Sequence, residues 1–259
     1  MDLHLKNKKA LVTGASLGLG KATAFALAQE GCELYLNSRS LDNLIVCADE
    51  IENGTGIKPI LIDADVSTDD GIAKIKSKIS DIDILVSNAG GPPPGQFTVH
   101  TDSIWNEAGN LILSSARKLT SLVIDSMIAR KFGRLIYITS IGVLQPIDDL
   151  ILSNTYRAAV TAMCKTISNN YAKYGITANC VCPGFTATDR LKNLVAKRKE
   201  ELGKTEDEII DMFTSQIPAR RIGQPDELAS LITFLASDKA CYITGTSIPV
   251  DGGFIKSLI

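Results

Sequence analysis

Three glycines, Gly14, Gly18 and Gly20, stand in the run Thr13-Gly14-Ala15-Ser16-Leu17-Gly18-Leu19-Gly20, between an apolar stretch at 9–13 and a segment of helical pattern at 18–30. Glycine lets a chain turn sharply and brings bare backbone close to an anion. A helix starting at Gly18 aims its unbonded first N–H groups and positive dipole end at the same point. The ligand this serves is a dinucleotide pyrophosphate, bound at the first strand-to-helix junction. A plain structural turn is the alternative use of the same residues.

Other chemistry-bearing side chains are few. The end of the second apolar run reads Asn37-Ser38-Arg39-Ser40. An acid there would bind the ribose hydroxyls of NAD and repel a 2′-phosphate. With no acid, and with the planar fork of Arg39 beside Ser38, NADP(H) is favoured over NAD(H). A solvated surface arginine is the alternative. Ser140 closes the strand at 134–139, and Asp148 and Asp149 follow in a loop, where acids are usually solvated. Tyr137 reads as core. The two histidines, His4 and His100, are far apart, so neither a His-centred zinc site nor a Ser-His-Asp triad is expected. None of the six cysteines forms a CxxC pair. They read as small hydrophobic fillers in a reducing cytosol, with a Cys180–Cys182 metal or redox site as the alternative.

A regular scaffold has to place these residues. Short apolar runs at 9–13, 33–37, 59–63, 83–87, 134–139 and 177–182 read as strands. Longer segments between them read as helices: 18–30 stopped by Gly31, 41–52 stopped by Asn53-Gly54, and two long ones at 102–130 and 150–174. Val/Ile/Leu-rich strands separated by helices imply right-handed βαβ crossovers and a parallel sheet covered on both faces. The stiff loop Gly90-Gly91-Pro92-Pro93-Pro94-Gly95 follows a strand's carboxyl end, where ligand sites in such sheets lie. No linker or repeat divides the 259 residues, so 1–259 is expected to be one domain. A formal charge of -2 argues against a nucleic-acid surface. No apolar run approaches the roughly 20 residues that cross a bilayer, and the N-terminus lacks a signal-peptide pattern, so a cytoplasmic protein is expected.

The glycine spacing GxxxGxG resembles that of the short-chain dehydrogenase/reductase family, and the likeness runs along nearly the whole chain. Asp65-Val66 resembles the family's adenine contact, and Asn88-Ala89-Gly90 its motif lining the cofactor cleft. Pro183-Gly184 with Thr186 and Thr188 is similar to the segment that clasps the nicotinamide carboxamide, and 242–253 to the closing strand. The resemblance implies a doubly wound Rossmann-type α/β domain with about seven parallel strands. It makes Gly14, Ser16, Leu17, Gly18, Leu19, Ser38 and Arg39 the expected contacts at the phosphate and adenosine end. Leu17 stands where NADP-using members often carry a basic residue.

The family uses a tyrosine as acid/base, a lysine four residues on that lowers its pKa, a serine that orients the carbonyl, and an asparagine that anchors a relay water. A phenol, with an unperturbed pKa near 10, needs such a cation to work near neutral pH. Ser140 matches the serine. The tyrosine position, thirteen residues later, holds Ser153, the lysine position holds Arg157 and the asparagine position Ile112. Arg157 can hold the nicotinamide ribose but not shuttle protons, and Ser153 has no base in sight. Tyr156 lies about 60° off the face of position 153 and lacks a basic residue at 160. A subgroup resembling 3-oxoacyl-(acyl-carrier-protein) reductases shares these departures and a GGPPPG-like loop, and this chain resembles its members.

By the same resemblance, 188–218 folds over the substrate as a lid, with Leu191, Leu194, Ile209, Ile210, Met212 and Phe213 beneath it, and the long helices pair subunits in a homotetramer or homodimer. Two functions follow. One is an NADP(H)-dependent oxidoreductase acting on a small carbonyl or alcohol, with Ser140 polarising the oxygen and the proton taken from water or a group such as Asp148. The other is a catalytically silent dinucleotide-binding sensor or partner subunit.

Overall fold

In the computed structural model, which describes residues 2–258, the strand Lys9–Thr13 (β1) sends Ala10 and Val12 into one core and Leu11 into another, all fully buried. Side chains alternate along a strand, so a continuous apolar run means a sheet covered on both faces. The other strands are β2 (Glu33–Ser38), β3 (Ile60–Asp63), β4 (Ile84–Ser87), β5 (Gly133–Ile138), β6 (Ile176–Pro183) and β7 (Ser247–Val250). All pair in parallel in the order β3-β2-β1-β4-β5-β6-β7. The order reverses between β1 and β4, and that switch point opens a crevice at the carboxyl ends of both strands.

Helices α1 (Gly18–Gln29), α2 (Leu41–Thr55) and α9 (Pro225–Ala236) cover one face through Leu27, Leu44, Ile51 and Ile232. Helices α3 (Asp69–Lys78), α5 (Ser115–Arg130) and α6 (Ile151–Tyr171) cover the other through Ile75, Leu119, Met127 and Cys164. Each of these leucine, isoleucine and methionine side chains, fully buried, contributes about 1.5–3 kcal/mol. Gly31 ends α1 at φ 81°, its N–H donating to the Ala28 carbonyl.

Two helices differ from the sequence reading. Helix α2 does not stop at 52. It runs to Thr55 and closes at Gly56, φ 75°, whose N–H donates to the Glu52 carbonyl. Gly54 is there for packing instead: a Cβ on it would lie 2.8 Å from the Phe25 ring of α1. The segment expected as one helix over 102–130 is α4 (Asp102–Gly109), a π-helical turn at Asn110–Ser114, and then α5.

The expected lid contains α7 (Asp189–Leu202) and α8 (Glu206–Thr214), the latter started by a Thr205/Glu208 capping box. Ile209 is buried and Phe213 packs on Phe185, ring centres 4.8 Å apart. Met212, expected beneath the lid, is 42% exposed. The inward-facing stripe is the narrow i, i+4 line through the buried Ile209 and the half-buried Phe213, and Met212 falls beside it. Among the described residues no helix is long and apolar enough to cross a membrane.

Candidate active site

The turn after β1 has the backbone of an anion cradle. Gly14 (φ 57°) and Gly18 (φ 53°) occupy the left-handed region, and a Cβ on Gly20 would run into the Gly14 carbonyl. Hydroxyls of Ser40, Thr68 and Thr101 cap α2, α3 and α4, but Leu17 gives α1 no side-chain cap and its first turn holds no acid. The first N–H groups of α1 are therefore left for a ligand, and the residues fit a pyrophosphate. Ser16 and Leu19 flank Leu17, which is half exposed.

Two further segments frame the cradle. Asn88 binds Thr13 reciprocally, its N–H donating to Thr13 Oγ1 (2.9 Å) and its carbonyl accepting from it (2.8 Å), while Asn88 Nδ2 donates to the Gly14 carbonyl. These bonds lock the ends of β1 and β4 together and lead into Ala89 and Gly90. Beyond β6, Pro183 and Gly184 carry the chain to Thr186 and Thr188, and the Thr188 methyl packs against Gly18.

At the adenosine end, Arg39 is exposed and makes no ion pair or hydrogen bond among the described residues. Ser38 was expected as a further phosphate donor, but its hydroxyl donates to the Ser40 carbonyl at 3.1 Å. Asp65 Oδ1 accepts from the N–H and hydroxyl of Ser67, and Val66 is buried beside it.

Of the three catalytic candidates, Arg157 and Ser153 are in direct contact, and Ser140 lies two residues beyond a carbonyl that Arg157 binds. Arg157, 8% exposed, donates to Ser153 Oγ (3.2 Å) and to the carbonyls of Ile138 (2.9 Å), Ala89 (3.4 Å) and Gly90 (3.5 Å). Burial, and then the nearby charge of Arg190, lowers its pKa to about 10, so it is a cation at neutral pH. Among the described residues no carboxylate pairs with it; four acceptors hold it instead. Ser153 accepts that bond, which leaves its own O–H to donate elsewhere. Ser140 follows the strand whose Ile138 carbonyl holds Arg157, and its Oγ accepts from the Gly142 N–H at 3.0 Å, leaving its proton free likewise. Ile112, in the π-helical turn, lines with Ser87, Ala89 and Arg157 a cavity of about 10 Å³.

The weaker candidates take structural parts. The Tyr156 hydroxyl donates to the Trp105 carbonyl at 2.8 Å, and the two rings meet edge to face. Tyr137 is fully buried, bonded to Thr120, and burial pushes its pKa up. Asp148 is exposed, and Asp149 pairs with Arg198 of α7 at 3.9 Å. Five cysteines are buried, but Cys241, read as a filler, is exposed because it lies just beyond the short helical turn Asp238–Ala240. Burial pushes Cys32 up to about 12 and Cys182 up to about 11. Among the described residues no group of three His, Cys, Asp or Glu side chains is placed to hold a metal ion.

Two residues that touch the loops of the crevice escaped the sequence reading. Asn154 donates to the Ile147 carbonyl at 2.9 Å and packs against Gly142, steadying the loop that carries Ser140. Arg190 lays its guanidinium on Gly91. A polar residue one place after the tyrosine position, and a glycine at 91 with no positive φ to require it, are the signals that could have found them.

The strand order, the uncapped glycine turn and the crevice at the switch point define a dinucleotide-binding protein of the doubly wound class. A family model described as enoyl-(acyl carrier protein) reductase matches residues 14–255. The NADPH-dependent reductase BacG of Bacillus subtilis is 34% identical over 267 residues, covering 98% of this chain and 100% of that protein. The 3-oxoacyl-[acyl-carrier-protein] reductase FabG of Escherichia coli is 32% identical, covering 97% and 98%. L-sorbose reductase from Gluconobacter frateurii, solved with NADPH and L-sorbose, superposes with a TM-score of 0.95 at 29% identity over the whole of both chains. The chain belongs to the short-chain dehydrogenase/reductase family.

Proposed function

We propose that the protein is an NADP(H)-dependent oxidoreductase of a carbonyl/alcohol pair, with proton transfer rearranged around Ser153 and Arg157. The contact between Arg157 and Ser153 Oγ carries this reading. When bound, the nicotinamide supplies or accepts the hydride. The cradle Gly14–Gly20 holds the pyrophosphate, Arg39 the 2′-phosphate, and Arg157, with Ala89 and Gly90, the nicotinamide end. Ser140 and Ser153 then donate their free O–H groups to the substrate oxygen, and the cation behind Ser153 stabilises the negative charge that develops there. No phenol is needed to polarise the oxygen, and the proton consumed in reduction comes from water. With Ile112 at the relay position, the asparagine-anchored water of the family has no side chain to hold it.

NADPH oxidation measured across ketones, acyl thioesters and sugars tests the proposal. Turnover with any of them supports it. Firm NADPH binding without turnover on any would favour a silent dinucleotide-binding protein, the reading that the absent tyrosine also suits. Assembly into a homodimer or homotetramer belongs to the same proposal, supported by the exposed Phe97 (70%) and Val99 (62%) beside α4. Sedimentation of the purified chain measures it.

A further inference from the structure

Two guanidinium groups hold adjacent residues of one loop. Arg157 donates to the Gly90 carbonyl at 3.5 Å, and the Arg190 guanidinium lies on Gly91 where a Cβ would otherwise be. Any other residue at 91 would displace it. Neighbouring acids are committed elsewhere: Asp189 pairs with Lys192 at 3.1 Å and Asp149 with Arg198 at 3.9 Å. Among the described residues neither Arg157 nor Arg190 has an ion-pair partner, and Arg190 has no hydrogen bond. Arg157 is drawn below its usual pKa by burial and then by Arg190, while Arg190, although exposed to solvent over much of its side chain, is drawn down by partial desolvation where it lies on the loop. Like charges gathered on one loop are costly unless an anion joins them.

In the proposed function the phosphates of the cofactor have their own sites, the glycine cradle and Arg39, while Arg190 stands at the Gly90-Gly91 loop that Arg157 also holds. We propose that Arg190, backed by Arg157, binds the carboxylate or phosphate of an anionic carbonyl substrate. The inference rests on the oxidoreductase reading and narrows its substrate class. A planar fork matches either anion in two-point contact, and the buried charge behind it favours an anion over a neutral group of the same shape.

Calorimetric titration of matched pairs tests it: acetoacetate against methyl acetoacetate, and dihydroxyacetone phosphate against dihydroxyacetone. Each is titrated into the free protein and into the NADP⁺ complex. At least one anion should bind about tenfold or more tightly than its neutral partner. Arg190→Gln should erase that preference, Arg190→Lys should keep part of it, and NADPH affinity should change by less than about twofold in both. Equal binding of acid and neutral partner, or no binding of either anion, overturns the proposal. So does loss of NADPH affinity in Arg190→Gln with the anion preference kept, which would assign Arg190 to a cofactor phosphate. Failure of the wild type to bind NADPH would instead defeat the oxidoreductase reading, and the anion preference would still be read on the free protein.

Discussion

In the proposed mechanism Arg157 keeps the site charged while changing its chemistry. A guanidinium gives up no proton at neutral pH, but it can hold a serine hydroxyl and three carbonyls at once. Its pKa of about 10 lies below the ordinary 12.5, so the folded protein releases this proton before the unfolded chain does. Burying the cation thus costs stability at neutral pH, and that cost is relieved as pH rises through about 10. Activity should run the other way. The rate of carbonyl reduction should be flat from about pH 6 to about pH 9, without a tyrosine inflection, and fall near 10 as Ser153 loses its cation. A pH–rate profile, with near-ultraviolet dichroism confirming the fold, measures this. A second outcome concerns the exposed Arg39. Arg39→Gln should weaken NADPH binding by about 10–100-fold and leave NADH unchanged, as fluorescence titration of both would show. A third installs the residues that the resemblance leads one to expect at these positions. The combination Ile112→Asn, Ser153→Tyr and Arg157→Lys should raise carbonyl reduction by about 10²-fold, and a folded, cofactor-binding variant that gains nothing would refute the assignment of these positions.

At the scale of the element, α1 is a helix whose first N–H groups are left without a side-chain cap, open to a ligand. Leu17 cannot cap it, and the absence of acids in its first turn leaves the dipole end bare for an anion. Gly20→Ala tests the dependence. The added methyl meets the Gly14 carbonyl, so the turn must open. NADPH affinity should fall at least about tenfold, with a stability loss of about 1–3 kcal/mol in urea titration. Helix α7 touches both loops of the crevice, Arg190 on Gly91 and Arg198 on Asp149. The exposed Arg198 pair contributes little by itself.

For the whole molecule, a sheet buried on both faces fixes β1 and β4 side by side, and the cofactor crevice is their shared end. A ligand bound there stabilises the folded state by mass action. NADPH at about 100 times its Kd should add about 2.7 kcal/mol and raise Tm by about 5–10 °C, read by scanning calorimetry. NADH at the same concentration should raise it less.

Much of this molecule was written into local sequence. Alternation of Ala10, Leu11 and Val12 through buried positions, and the glycine stop at Gly31, follow from period and backbone freedom alone, so the parallel sheet and its first helix could be read directly. The glycine turn after β1 was legible for the same reason, since its glycines are neighbours in the chain. Spacing also placed Ser153 one helical turn before Arg157, close enough for their hydrogen bond. Tertiary structure alone decided what each side chain is bound to. Ser38 turned to Ser40, Gly54 served the Phe25 ring, and Tyr156 gave its hydroxyl to Trp105. The meeting of Arg157 and Arg190 on Gly90 and Gly91 joins three segments distant in sequence. Periodicity says which face a residue is on, and only the packing of separate elements says whose charge it faces.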